Sequence, residues 1–391
     1  MKTIPTAEQR EFAAAIRALL AAENPIAAVR AGYEPRADRR RPALFGALAD
    51  AGVLGLTIAE DYGGAGGVLD DLAVFYTEAG RALCPTTVHS SLQAALAIDW
   101  LGSADDRARW LPPLTSGRVR ATTALWNARD AALVAPALHA SATRSAQTRS
   151  AKRWRLNGTA DYVLDADVAD LIVVSASADE RTLVFVVDVG SGGVSLEPLD
   201  MAGGLRACTV RFDDVSADVI ADVIADVIAD GALGGAPALR RLANTAVALG
   251  SLDLVGAGQA VLDRTVDYVR LRHQFGRPIA SFQAAQHLIA NMHIALAAAR
   301  LAAHSAVFWL GRGRVATRET SIARMHAATA ARLITLDAHQ LHGGMGYVTE
   351  TDLWLWSERA RFGSTLGGGA DVAAHWLEQS LHDETDEEER R

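Results

Sequence analysis

The sequence predicts an α+β chain that is mainly α: an N-terminal helical domain, a small central antiparallel β-domain and a C-terminal four-helix-bundle domain. Three observations carry this. Apolar residues recur at helical spacing up to about Arg118 and again from Pro237 to Leu381. Between these regions lie short β-rich runs. Asn157-Gly158, Gly190 to Gly193 and Gly203-Gly204 punctuate those runs as turns. The expected boundaries are 1–118 for the first domain, 119–216 for the sheet, 217–235 for a connector, 236–381 for the bundle and 382–391 for an acidic tail.

In order along the chain, Phe12, Ile16, Leu19 and Leu20 mark a helix from Ala7 to Glu23, and Leu44, Phe45 and Leu48 another before the Gly52 stop. The Glu60-Asp61-Tyr62-Gly63-Gly64 stretch reads as a turn. Helices resume over Leu69 to Leu83, Leu92 to Leu101 and Ala104 to Leu114. Strands are expected at Trp154 to Leu156, Leu171 to Val174, Thr182 to Val189 and Thr209 to Phe212. From Ala217 the tetrapeptide Ala-Asp-Val-Ile occurs three times in tandem. Four residues are too few for a solenoid unit, so this is read as a local duplication in a connector. Two long helical stretches, roughly 243 to 271 and 280 to 311, meet at Arg272-His273-Gln274-Phe275-Gly276. The charge run from Asp383 to Arg391 lacks apolar anchors and is expected to be a solvated tail.

Composition excludes several classes. The chain has 391 residues, 50% hydrophobic and 21% charged, which is enough to bury a large core. Its net charge of −8 gives no basic footprint for nucleic acid. Cys84 and Cys208 are too few for a disulfide framework and lack metal-ligand spacing, which suits a reducing cytoplasm. The start reads as no signal peptide, and no membrane span is expected.

The corner after residue 271 is where binding chemistry concentrates. An arginine pairs bidentately with phosphate and a phenylalanine packs on a ring system, so Arg272 and Phe275 together suit a flat anionic ligand. His287 and His293 lie on an apolar helical stretch without a carboxylate or thiol set at metal spacing, and are read as core or interface residues. The tryptophans, Trp354 and Trp356 among them, are read as packing between helices.

Specific segments resemble the acyl-CoA dehydrogenase family of flavoproteins. Leu54-Gly55-Leu56 followed by Glu60 to Gly66, and Glu78 to Ala82, are similar to its N-terminal segments. Tyr268 to Gly276 matches the family's YxxxRxQFG, and Gln340 to Tyr347 its QxxGGxGY. The resemblance covers about residues 5 to 381. It implies FAD as cofactor, with Arg272, Gln274 and Phe275 of one subunit on its pyrophosphate and ring end, and Ile279, Phe282 and Gln283 lining the same corner. Gln340, Gly343 and Gly344 of a neighbouring subunit would approach the adenosine side. It further implies an acyl-CoA substrate desaturated between the α- and β-carbons, electron-transfer flavoprotein as acceptor, and a homo-dimer, homo-tetramer or hetero-tetramer.

The sequence departs from the family where the base should be. The usual Glu near the C-terminus falls on Gly367, the alternative base position on an earlier helix falls on Ala246, and the Arg that usually follows it on Val247. The sheet-domain flavin segment is replaced by Leu125 to Asp130. Loss of a positioned base costs about 10²–10⁴-fold in rate. Two readings follow from the resemblance. In one, the chain is half of a hetero-oligomeric dehydrogenase whose paralogous partner supplies the base, as in actinobacterial members acting on bulky steroid-like acyl-CoAs. In the other it is a non-catalytic or structural flavin-binding member. A third option recruits Asp253 or Asp371 as the base.

Overall fold

A computed structural model describes residues 5–34, 39–143, 153–179, 181–199, 201, 205–223 and 236–389. Contacts divide the chain into two compact units that do not follow chain order: Met1–Ala37, Leu69–Cys84 and Asn244–Arg391 form one, Asp38–Val68 and Pro85–Ala243 the other. These contact units cut across residues 1–118, placing 1–37 and 69–84 in one and 38–68 and 85–118 in the other.

The first unit is helical. Helix α1 (Ala7–Glu23) opens with a capping box in which the Thr6 hydroxyl accepts from the Gln9 amide and the Gln9 side chain returns to Thr6. It and the short α2 (Ile26–Ala31), which the sequence did not signal, belong to this unit. After α3 (Pro42–Asp50), in the second unit, comes α4 (Leu69–Arg81), which returns to the first. The bundle itself is built from α7 (Ala236–Leu271), α8 (Gln283–Leu310), α9 (Thr317–His342), α10 (Leu353–Gly363) and α11 (Ala370–Glu389). Its core gathers Val261, Met292, Leu296, Ile334, Leu355 and Trp356.

Small residues set the closest helix approaches. A Cβ on Gly80 of α4 would lie 1.9 Å from the Asp253 carbonyl of α7, and one on Gly256 of α7 would lie 1.9 Å from the Thr77 carbonyl of α4. Two glycines thus let α4 and α7 touch backbone to backbone. Helix α11 continues through the acidic run to Glu389. Glutamate is a good helix former, and extending an existing helix needs no new nucleus.

The second unit packs α3, α5 (Thr86–Leu101) and α6 (Ala104–Thr115) with a sheet. Its strands are β1 (Ala121–Ala124), β2 (Leu138–Thr143), β3 (Arg153–Leu164), β4 (Leu171–Ala178), β5 (Arg181–Asp188), β6 (Val194–Leu199) and β7 (Ala207–Val223). The pairings β2–β3, β3–β7, β7–β5, β5–β4 and β4–β2 close on themselves, while β1 adds to β4 and β6 to β7. Closure pairs the five ring strands with one another and leaves β1 and β6 each paired on one side. The sheet is largely antiparallel, as the alternation predicts; the short β1 and β2 add parallel pairing to β4. Phe185, Leu156, Val174, Val210 and Phe212 fill its core.

The tandem repeat is not wholly a connector. Strand β7 runs into it as far as Val223, with Val223 opposite Thr182 and Asp222 opposite Leu183. Residues 224–235 and the Gly203-Gly204 turn lie outside the described residues. The two cysteines are buried and form no disulfide. By length and composition alone, helices α7 and α8 could cross a membrane; that window of α7 is 83% buried, as in a core helix, and that of α8 33%.

Candidate functional site

Helix α7 stops at Leu271, and the chain turns at once into a two-stranded ribbon of β8 (His273–Gln274) and β9 (Arg277–Pro278). Phe275 and Gly276 at its tip have φ of 53° and 79°. Positive φ at both central residues is the geometry of a type I′ turn, natural for glycine and strained for phenylalanine. The Phe275 ring is nonetheless 92% exposed. The corner is stiffened from beneath: the Arg272 carbonyl accepts from the Ile279 amide (2.9 Å), and Phe275 meets Phe282 edge to face at 6.2 Å. Arg277 lies over Phe282 at 4.1 Å. Arg272, Gln274 and Gln283 are exposed, whereas Ile279 and Phe282 are half-buried and packed on the bundle core.

The glycine pair ends the neighbouring helix. Gly343 terminates α9 with φ of 59°, and a Cβ on Gly343 or Gly344 would meet no atom within 4 Å. Both glycines are exposed beside the exposed Gln340, and the Gly343 amide caps α9 by donating to the Gln340 and His339 carbonyls. The two motifs adjoin within one chain: the Tyr268 ring stacks on His342 at 4.2 Å and 10°, and its hydroxyl donates to the His342 carbonyl (3.3 Å). His342 is buried, and among the described residues neither ring nitrogen has a hydrogen-bond partner. Burial, with smaller repulsion from His339 and Arg264, pushes its pKa down to about 4. It acts as a neutral plate under Tyr268. His339 bonds Ser357 through Nε2 (2.7 Å) and stacks on Tyr347. Sequence reading did not find this histidine-tyrosine support, although Tyr268, His342 and Tyr347 lie within the motifs and His339 beside one.

Neither expected base position carries a carboxylate, and the geometry adds a reason at the first. Gly367 is buried with φ of 75°, and Gly368 follows at 114°. A side chain at Gly368 would press within 2.9 Å of Trp376 and Val372. The loop is therefore shaped for glycine. Ala246 is half-buried on α7, with the buried Val247 beside it. Asp253 is committed elsewhere: Arg359 donates to both its oxygens at 2.8 Å from Nε and Nη2, and both residues are buried. Burial works to lower the Arg359 pKa, yet the Asp253 carboxylate outweighs it and holds the pKa above its usual value. Asp371 is exposed in the first turn of α11, where it complements the helix dipole.

In the second unit, the Leu125 to Asp130 segment is organised by its own polar groups. Asn127 Oδ1 accepts from the Arg129 amide (2.8 Å) and Asp130 Oδ1 from the Ala132 amide (3.0 Å). Arg129 donates to the Tyr162 hydroxyl (2.9 Å) and lies over its ring. His287 and His293, expected in a core or interface, are exposed in the single chain, and among the described residues no three His, Cys, Asp or Glu group as a metal site. Trp356 is buried, donating to the Arg81 carbonyl (3.1 Å), and Trp354 packs edge-on against Tyr33.

Comparison with known proteins matches residues 6–118 to "Acyl-CoA dehydrogenase, N-terminal domain" and residues 234–381 to "Acyl-CoA dehydrogenase, C-terminal domain". A short-chain specific acyl-CoA dehydrogenase of Bos taurus is 30% identical over 317 residues, 78% of this chain and 73% of the relative. A 3-(aryl)acrylate reductase of Clostridium sporogenes is 28% identical over 311 residues, 78% of this chain and 80% of the relative. A solved structure described as "Tcur3481-Tcur3483 steroid ACAD G363A variant" superposes with a TM-score of 0.83 at 27% identity, covering 97% of this chain and 99% of that one.

Proposed function

Because the chain belongs to the acyl-CoA dehydrogenase family of FAD-dependent oxidoreductases, we propose that it works as the base-lacking subunit of a hetero-oligomeric, cytoplasmic acyl-CoA dehydrogenase. The observation that carries this is the pairing of an intact cofactor corner with a base loop built around a buried, left-handed Gly367. The corner chemistry fits a dinucleotide. Arg272 offers a free-standing fork for a pyrophosphate, Phe275 an exposed ring face, Gln274 and Gln340 amide groups, and Gly343 and Gly344 backbone that no side chain shields. When bound, FAD supplies the acceptor for hydride leaving the β-carbon of the thioester.

In this reading Arg272, Gln274, Phe275, Ile279, Phe282 and Gln283 form one side of the cofactor cleft, and Gln340, Gly343 and Gly344 serve another chain's cofactor. The Gly367 backbone amide offers a hydrogen bond to a thioester oxygen, while proton abstraction from the α-carbon falls to a carboxylate of the paralogous partner. Asp253 is excluded as a substitute by its bidentate pair with Arg359. The steroid-related neighbour supports bulky acyl-CoA thioesters as substrates, and the reading takes electron-transfer flavoprotein as the oxidant.

The test is co-purification with the genomic paralogue. The complex is expected to carry flavin absorbance and to reduce an artificial acceptor with a steroid side-chain CoA thioester, and the chain alone to be inactive. Arg272→Ala in the complex is expected to strip the flavin. A chain fully active alone, or an inactive yellow complex with every acyl-CoA tried, would refute the reading.

A further inference from the structure

A buried arginine stands behind the loop that carries Gly367. Arg324 of α9 is 2% exposed, and it donates from Nε to the Gly368 carbonyl (2.7 Å) and from Nη2 to the Leu366 carbonyl (2.6 Å). The two acceptors bracket Gly367, so one rigid fork fixes both sides of the left-handed residue.

Its electrostatic setting is unusual. Among the described residues no carboxylate offsets the charge: burial alone pushes the pKa down, to about 10, which still leaves a cation at neutral pH. The groups around it are polar but neutral. Thr320 and Ser321, one turn back on α9, are buried hydroxyl residues, and Ser321 spends its proton on the Thr317 carbonyl (2.7 Å). From α11, Trp376 and Val372 pack on Gly368, while Asp371, though exposed, turns Oδ1 toward Gly369. A buried cation without a counter-charge is costly, and a neutral donor could satisfy a carbonyl at lower cost.

We propose that Arg324 is a positioning residue of the acyl-thioester site: it locks Leu366–Gly368 in shape and places a fixed positive charge behind the Gly367 backbone, toward the charge that develops on the thioester oxygen. Preorganised positive charge in a dry site stabilises such an oxygen without rearrangement during the reaction. The inference rests on the reading above that this loop borders the acyl-CoA, and it deepens that reading by assigning the electrostatic role to a residue outside the motifs.

The experiment uses the flavin-loaded complex with the paralogue, carrying Arg324→Met or Arg324→Lys, and acetoacetyl-CoA as probe. The pH midpoint at which the bound probe becomes an enolate is read from its long-wavelength absorbance against the flavin. Arg324→Met is expected to raise that midpoint by about one unit, roughly a tenfold weaker preference for the enolate. Arg324→Lys, which keeps the charge but not the fork, is expected to hold the midpoint and weaken probe binding about tenfold. Equal midpoints and affinities in all three proteins at equal flavin content would overturn the proposal. Should Arg324→Met fail to assemble, Arg324→Lys still decides: binding and midpoint like the parent's would overturn it.

Should the parent complex bind flavin but never the probe, the acyl-CoA reading falls with the electrostatic role. Amide hydrogen exchange across residues 364–369 of the chain alone then judges the brace: faster exchange in Arg324→Lys confined to that loop supports it, and unchanged exchange rejects it.

Discussion

The Asp253–Arg359 pair separates a structural charge from a catalytic one. Both groups are buried and share two hydrogen bonds, so removing the carboxylate strands a guanidinium in a dry site. Breaking such a pair costs about 3–5 kcal/mol. Asp253→Asn is therefore expected to lower denaturant stability by nearly that amount; a variant as stable as the parent but without turnover would instead identify Asp253 as a base. His342 gives the complementary case of a buried group kept neutral. Its pKa falls from 6.5 to about 4 in the folded chain. The unfolded state therefore binds a proton across that window that the folded state does not. Stability contributed by the neutral ring is present above pH 6.5 and is lost as pH falls toward 4, by up to about 3 kcal/mol. Thermal melts from pH 7 to 4.5 should show this loss, and His342→Phe, which keeps a ring against Tyr268, should flatten it. An equally steep acid limb in the variant would assign the loss to other groups.

Among the elements, β7 ties the tandem repeat to the sheet. Four is an even number, so a regular strand would return each Ala-Asp-Val-Ile unit to the same face, but a bulge between Val219 and Ala221 shifts the register between the first two units. Deleting one unit leaves the sequence from Ala217 to Val223 as it was, and with it the register of Asp222 opposite Leu183. The deletion is expected to change unfolding free energy by less than about 0.5 kcal/mol, as for a change away from packed features; a cooperative loss of several kcal/mol would show that the repeat's length is itself structural. Long periodic helices and strands with β-branched runs were readable from the sequence, as α1, α4, β4 and β5 illustrate. What escaped it were elements whose reason lies elsewhere in the fold. Strand β1 exists because Leu171 to Val174 offers it a parallel partner. Helix α5 starts at Thr86 rather than near Leu92, since buried Thr87, His89, Ser90 and Ser91 hide its apolar face behind polar letters. At the site, the corner and the missing carboxylates were legible as letters; the brace from Arg324 and the stack of Tyr268 on His342 were not, because each joins residues more than forty positions apart.

For the molecule as a whole, the helical unit leaves large apolar side chains in solvent around the Arg272 corner and along α8. Leu271 is 80% exposed, Phe275 92%, Tyr347 77%, and Ile294 and Leu301, two turns apart on one face of α8, are 65% and 49% exposed. Apolar surface gathered this way marks an interaction face, and a second family chain is the occupant consistent with an α8 that is apolar enough for a core yet mostly uncovered. The same chain would supply the open Gly343–Gly344 backbone that the Arg272 side of a cofactor cleft needs for closure. Assembly and flavin retention are then one equilibrium, because a ligand that contacts both chains stabilises only the assembled state. Placing lysines at Ile294 and Leu301 together should release smaller species in light scattering while helical circular dichroism persists. Flavin absorbance should leave the protein peak in step with that release. A dispersed chain that still held its flavin stoichiometrically would mean that the corner at Arg272 closes over the cofactor without help.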